Sequence, residues 1–68
     1  MTSDEVVAVL RANKGKRVRV TFDDGVVQVV DINNVDEEGV THSGPDGIEP
    51  AGFWTFHWSI TWVEPVSG

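Results

Sequence analysis

The chain contains no cysteine, which limits how so small a protein can be stabilised. Without cysteine there is no disulfide and no thiolate metal site. The two histidines, His42 and His57, are too few for a zinc centre. A domain of 68 residues buries only about 60% of the surface that its unfolded chain exposes. We therefore expect good packing or self-association to supply the additional stability, with no metal and no cofactor.

Positive charge is missing from most of the chain. After residue 19 there is no lysine or arginine, against nine acidic residues, and the net charge is −6. All five basic residues lie in one short segment: Arg11, Lys14, Lys16, Arg17 and Arg19. These cations either complement the C-terminal dipole of a preceding helix and then line a solvated strand face, or contact the phosphates of a nucleic acid. The acidic remainder disfavours nucleic acid, because long-range attraction depends on the field of the whole protein.

Long apolar runs are also absent. No run approaches the roughly 20 residues that a membrane span needs. The first residues, MTSDEVVAVL, are acidic before they are apolar, which is the reverse of a secretory signal. The sequence therefore predicts no membrane association and a cytoplasmic location.

Motifs for catalysis are lacking as well. We find no nucleophile beside a base, no glycine-rich phosphate loop and no metal-ligand spacing. Paired carboxylates in DDG at 23–25 and DEEG at 36–39 can bind calcium or act as acid and base in other settings. Here they coincide with turns, where Asp and Gly are favoured for backbone reasons. We expect no enzymatic activity and no catalytic residue.

What the sequence does contain is a helix followed by short strands. Thr2 and Glu5 have the spacing of a capping box. Val6, Val7 and Leu10 then fall on one face at helical spacing. Together these signals predict a helix over about 3–12, which ends before Gly15. Alternating and β-branched segments predict strands at about 16–22, 26–33, 38–43, 52–58 and 60–64. The proline- and glycine-rich segment 43–52 reads as a surface loop.

The expected fold is mainly β. We predict a single domain in which the short N-terminal helix precedes a five-stranded, strongly bent, partly open barrel of the SH3-like kind. Eight residues are expected in its core: Val18, Val20, Phe22, Val27, Val29, Ile32, Val40 and Ile60.

The segment GKRVRVTFDDGVVQVVDINNVDEEGVT, residues 15–41, resembles the first motif of the Sm-like family. It has an alternating strand, an Asp-Gly turn, a second strand and an acidic residue, Asp36, eleven positions after Gly25. The later segment WSITWVEP resembles the last strand of small bacterial Sm-like proteins. The resemblance implies an Sm-like barrel, and it implies pairing of the last two strands between neighbouring subunits of a ring.

The chain departs from the family at the positions that bind RNA. Sm-like proteins usually carry an asparagine just after the motif's aspartate, whereas Glu37, Glu38 and Gly39 stand here. The basic residue and glycine of the second motif are replaced by residues 57–59, His-Trp-Ser. The resemblance therefore implies the fold, while the RNA-binding role is not carried over.

The last part of the chain holds all three tryptophans and two of the three phenylalanines. These rings are either core or surface, and rings on two adjoining strands cannot all point into one small barrel. We therefore predict a homo-oligomer interface formed by Phe53, Trp54, Phe56, Trp58, Ile60 and Trp62. The predicted function is a non-catalytic interaction module that self-associates, as a scaffold or as a small regulator of a protein partner. The alternative is an RNA-binding protein in which the basic segment 11–19 contacts phosphates and exposed rings stack on bases.

Overall fold

The computed structural model describes residues 1–66 and confirms the predicted fold class, with an N-terminal helix followed by five antiparallel strands in one open sheet. The elements are α1 (Ser3–Ala12), β1 (Arg17–Phe22), β2 (Val27–Val35), β3 (Gly39–His42), β4 (Phe53–Phe56) and β5 (Ile60–Pro65). Single 3-10 turns at Pro45–Gly47 and His57–Ser59 flank β4. The strand order is β4-β3-β2-β1-β5, so β4 and β5 are the two edge strands.

Helix α1 begins with the predicted capping box. The Thr2 hydroxyl accepts a hydrogen bond from the Glu5 backbone N–H at 3.2 Å, and the Glu5 carboxylate accepts one from the Thr2 N–H at 3.0 Å. The bond from the Thr2 backbone holds the pKa of Glu5 below its usual value. Val6 and Leu10 are fully buried, so the helix covers one side of the sheet. A helix of ten residues would be marginal alone and depends on this packing.

The β1–β2 hairpin forms at the predicted DDG turn. Gly25 has φ of 87°, a left-handed conformation that glycine adopts without steric cost. The Asp24 carboxylate accepts a hydrogen bond from the Val26 N–H at 3.0 Å and fixes the turn.

The core is entirely aliphatic. Its buried hydrophobic residues are Val6, Leu10, Val18, Val20, Val30, Ile32, Val40, Ile60 and Val63. The prediction was wrong for Val27, which is 53% exposed, while Val29 and Phe22 are only partly buried. Val30 faces inward instead, opposite Val18, because side chains alternate along a strand and Ile32 already points to the core.

Two register shifts decide which later residues face the core. Where β1 pairs with β5, Phe22 lies opposite Ile60 but Thr21 lies opposite Trp62, so Thr61 is an extra residue in β5. The Thr61 hydroxyl donates a hydrogen bond to the Thr21 carbonyl at 3.2 Å. Such a bulge reverses the alternation. Ile60 and Val63 therefore both point inward while Trp62 stays outside. A similar shift between β2 and β3 leaves Asn33 unpaired with β3.

Candidate interaction surface

Three aromatic rings form a continuous cluster along β4 and the turn that follows it. We call Trp54, Phe56 and Trp58 the aromatic stack. The Trp54 and Phe56 rings meet edge to face with centroids 4.4 Å apart, and the Phe56 and Trp58 rings stack at 4.2 Å with planes 18° apart. Both arrangements are favourable aromatic geometries. The three side chains thus pack on one another even though they lie outside the core.

Gly39 provides the surface on which the stack rests. It is buried in β3 and pairs with Phe56, while Thr41 pairs with Trp54. A Cβ atom at Gly39 would overlap the Trp54 ring and the Thr55 carbonyl oxygen. The absence of a side chain at this position lets the Trp54 indole lie directly on the β3 backbone.

The predicted interface residues are mostly exposed. Trp58 is 61% exposed and Trp62 is 48% exposed, and Phe53, Trp54 and Phe56 are exposed as well. Ile60 was expected both in the core and in the interface, and at 5% exposure its side chain belongs to the core, so its place in the interface is wrong. The expectation that some tryptophans lie on the surface is confirmed for all three.

The exposed rings lie on both edges of the sheet. Trp54 and Phe56 belong to edge strand β4, with Trp58 just after it, whereas Trp62 belongs to edge strand β5 beside Thr21. Phe53 points to the opposite face of β4, where its ring stacks on His42 with centroids 6.0 Å apart. The six predicted residues are therefore divided among two edges and the core.

The basic segment is partly neutralised within the chain. Arg17 binds the Asp31 carboxylate at 2.8 Å and reaches the Asp46 carbonyl, and Arg19 binds Glu64 at 3.0 Å. The hydrogen bond from Arg17 lowers the pKa of Asp31, and the same bond raises the pKa of Arg17. Arg11, Lys14 and Lys16 are exposed at the end of α1 and in the following turn, where cations complement the helix dipole.

Both histidines are buried and hydrogen-bonded. His57 donates from Nε2 to the Asp36 carbonyl at 2.7 Å, which joins the turn after β4 to the β2–β3 turn. Its Nδ1 atom is buried without a partner among residues 1–66. His42 contacts the Ser43 carbonyl through Nδ1 at 2.7 Å and the Thr55 hydroxyl through Nε2 at 2.8 Å.

Within residues 1–66, no three His, Asp or Glu side chains are grouped so that they could hold a metal ion. Over the same range, no helix combines the length and apolar character needed to cross a bilayer. Comparison of the chain with protein-family models, with curated proteins and with solved structures finds no match.

One group of side chains was not predicted from the sequence. Phe22, His42 and Phe53 come from three different strands, and the structure brings their rings together on the inner face of the sheet. Only the register of β3 against β4, which pairs His42 with Phe53, could have pointed to it.

Proposed function

We propose that the chain is a non-catalytic interaction module that assembles with copies of itself through its two edge strands. The observation that carries this proposal is the aromatic stack, an exposed apolar surface of mutually contacting rings on edge strand β4 and the turn after it. Large exposed apolar patches mark interaction sites in soluble proteins. In cells the assembly would serve as a scaffold or a small regulator.

The sheet offers two different edges for such pairing. Edge strands carry unpaired backbone N–H and C=O groups, which proteins cover, shorten or pair. β4 and β5 end the strand order on opposite sides, so β4 of one copy can extend the sheet beside β5 of the next. Contact between two different surfaces is heterologous and closes into a ring when the rotation permits. The resemblance to Sm-like proteins supplies this arrangement.

The side chains of the two edges are complementary in that arrangement. A sheet continued from β4 into a neighbour's β5 keeps the same face outward, and this face carries Trp54 and Phe56 on β4 and Trp62 on β5. The neighbour's Trp62 would then lie beside the aromatic stack and cover part of it. Buried aromatic residues are enriched at the centres of interfaces.

The test is the mass in solution, measured by light scattering across a micromolar dilution series. We expect the parent chain to exceed the 7.5 kDa of one copy and Trp58→Ala and Trp62→Ala each to lower the mass. Ile48→Ala is the matched control, because Ile48 is equally apolar and exposed but lies in the loop between β3 and β4. A parent chain of single-copy mass at every concentration would overturn the proposal.

RNA binding is the second candidate, and the pairing of Arg17 and Arg19 with carboxylates argues against it. The exposed rings could stack on bases, but only Arg11, Lys14 and Lys16 remain without a carboxylate partner among residues 1–66 to contact phosphates. Fluorescence anisotropy with U-rich and A-rich oligonucleotides at low salt tests this alternative. Binding that weakens as salt rises would favour RNA, and we expect none.

A further inference from the structure

A cleft of about 360 Å³ opens on the inner side of the sheet, apart from the aromatic stack. Its volume falls at the lower end of the range of about 300–1,000 Å³ typical of small-molecule sites. Rings from Phe22, His42 and Phe53 line it together with Val26 and Pro45. An apolar wall with a few polar groups is the usual composition of a ligand site.

The aromatic wall of the cleft is held in place before any ligand arrives. The Ser43 carbonyl can only accept, so His42 carries a proton on Nδ1, and its Nε2 meets the Thr55 hydroxyl. The Phe53 ring stacks on this fixed imidazole with planes 15° apart. Gly44 lies close to the edge of the same ring, since a Cβ atom at this position would stand 3.0 Å from Phe53 Cε2. Phe53 is nevertheless 45% exposed, which leaves ring surface for a ligand.

Two polar groups at the cleft retain hydrogen-bonding capacity. Asp24 uses Oδ1 to accept from the Val26 N–H, and its second oxygen has no hydrogen bond to residues 1–66. The Gln28 side-chain amide, also lining the cleft, makes no hydrogen bond within those residues either. A carboxylate oxygen accepts hydrogen bonds, and an amide both donates and accepts.

The charge of the cleft selects against anions. Its lining includes the Asp24 carboxylate and no lysine or arginine. Phenylalanine faces also attract cations. The net charge of −6 adds a long-range bias in the same direction.

From these observations we infer that the cleft between Phe22 and Phe53 binds a planar heteroaromatic amine. The ring of the ligand packs on Phe53, while its N–H groups and positive charge meet Asp24 and Gln28. This site does not depend on the proposed self-association, because its two β4 residues, Phe53 and Thr55, lie on the opposite face of that strand from Trp54 and Phe56 of the aromatic stack.

The experiment uses tryptamine and indole-3-acetate, two probes that share an indole ring but carry opposite charges. Each probe is titrated into the isotope-labelled full chain, and binding is followed by NMR through the backbone amide chemical shifts. Tryptamine should change the amide chemical shifts of four residues in a saturable manner, with a Kd of about 1 mM or tighter. These residues are Val26, Gln28, Phe53 and Thr55. Indole-3-acetate should bind about fivefold to tenfold more weakly, because its carboxylate faces Asp24. Absence of saturable shifts, equal affinity for the two probes, or shifts confined to the aromatic stack would each overturn the inference.

Variants localise the binding. Val26→Trp should fill the cleft and abolish the tryptamine shifts, whereas Val27→Trp should retain them, since Val27 is an exposed neighbour that does not line the cleft. Asp24→Asn keeps an oxygen for the Val26 N–H and removes the charge, so the preference for tryptamine should narrow to about twofold. Light scattering on Val26→Trp should give the mass of the parent. Tryptamine binding that survives Val26→Trp, or an unchanged preference for tryptamine in Asp24→Asn, would contradict the site.

Discussion

The interior and the exterior of this protein are built from different residues. The buried hydrophobic residues are valine, leucine and isoleucine, while all three tryptophans and two of the three phenylalanines are exposed. Phe22 is only partly buried. A small domain usually uses its largest rings for its core, since each can remove about 150–250 Å² from water. Here the aliphatic residues fill the interior, and the aromatic residues remain available for contact with other molecules.

This division separates the residues that hold the fold from those that face outward. Val6 and Leu10 join the helix to the sheet, and their loss would leave a cavity that the surroundings cannot fill. Trp58 contacts Phe56 but lies outside the core. Substitutions on the two sides should therefore differ in kind, the first altering folding and the second altering association.

The largest effect should come from the interior. Leu10→Ala should lower the free energy of unfolding by about 2–5 kcal/mol, because Leu10 is fully buried. Trp58→Ala should cost about 1 kcal/mol or less in the single copy. Urea unfolding over a dilution series checks this contrast, because stability gained from association falls on dilution. At low concentration the free energies of unfolding of Trp58→Ala and the parent should therefore differ by no more than this small single-copy cost. A persistent large deficit for Trp58→Ala would mean that the ring supports the fold.

The boundary between interior and surface can be tested at Gly39. Gly39→Ala should destabilise the chain by about 1–3 kcal/mol, since the added methyl group meets the Trp54 ring and the Thr55 carbonyl. Combining it with Trp54→Ala should restore part of the loss, because only the ring clash is removed. Chemical denaturation of the two single variants and the double variant gives the coupling free energy between the two substitutions. Simple additivity would show that Trp54 does not rest on Gly39.

A smaller effect is expected at the start of the helix that covers the core. Thr2→Ala removes the hydroxyl that accepts from the Glu5 N–H and should cost about 1 kcal/mol. Ser3→Ala is the matched control, since the neighbouring hydroxyl does not provide the cap. Thermal unfolding followed by circular dichroism measures both. Equal losses would contradict a specific role for Thr2.

The smallest effect should come from the exposed Arg17–Asp31 pair. The pKa of Asp31 is lowered by Arg17, so the pair stabilises the fold above the ordinary carboxyl pKa of 3.8, and this contribution is lost as the pH falls through the lowered value. Asp31→Asn should therefore be less stable than the parent near neutral pH, and the difference should shrink in acid. Denaturant midpoints at several pH values test this. If the stability difference between Asp31→Asn and the parent grew as the pH fell, the ion pair would not be the source of the stabilisation.

Local sequence patterns predicted the helix and the approximate positions of the five strands, but not which side chains of every strand face the core. The Thr2–Glu5 spacing located the helix, and Gly25 located the hairpin. The bulges at Asn33 and Thr61 could not be seen, because they depend on how one strand pairs with another. For this reason the sequence placed Ile60 in both the core and the interface, and the structure keeps it only in the core.

Of the two candidate sites, the exposed aromatic surface could be predicted from the sequence and the cleft could not. Exposure of tryptophan followed from the number of large rings in a short segment, which one small interior could not accommodate. The cleft beside Phe22, His42 and Phe53 depends on three strands that are distant in sequence, so no spacing along the chain reveals it.

Thr61 gives the final strand an odd count, and this makes the length of the segment as important as its composition. If the same residues paired without this bulge, regular alternation from Ile60 would turn the Trp62 indole toward the interior and push Val63 out into water. Deleting Thr61 would instead leave both side chains on their present faces, because Ile60, Trp62 and Val63 would then pair in regular register with Phe22, Thr21 and Val20. The aromatic rim therefore depends on one extra residue being accommodated at position 61, in addition to the order of the apolar residues around it.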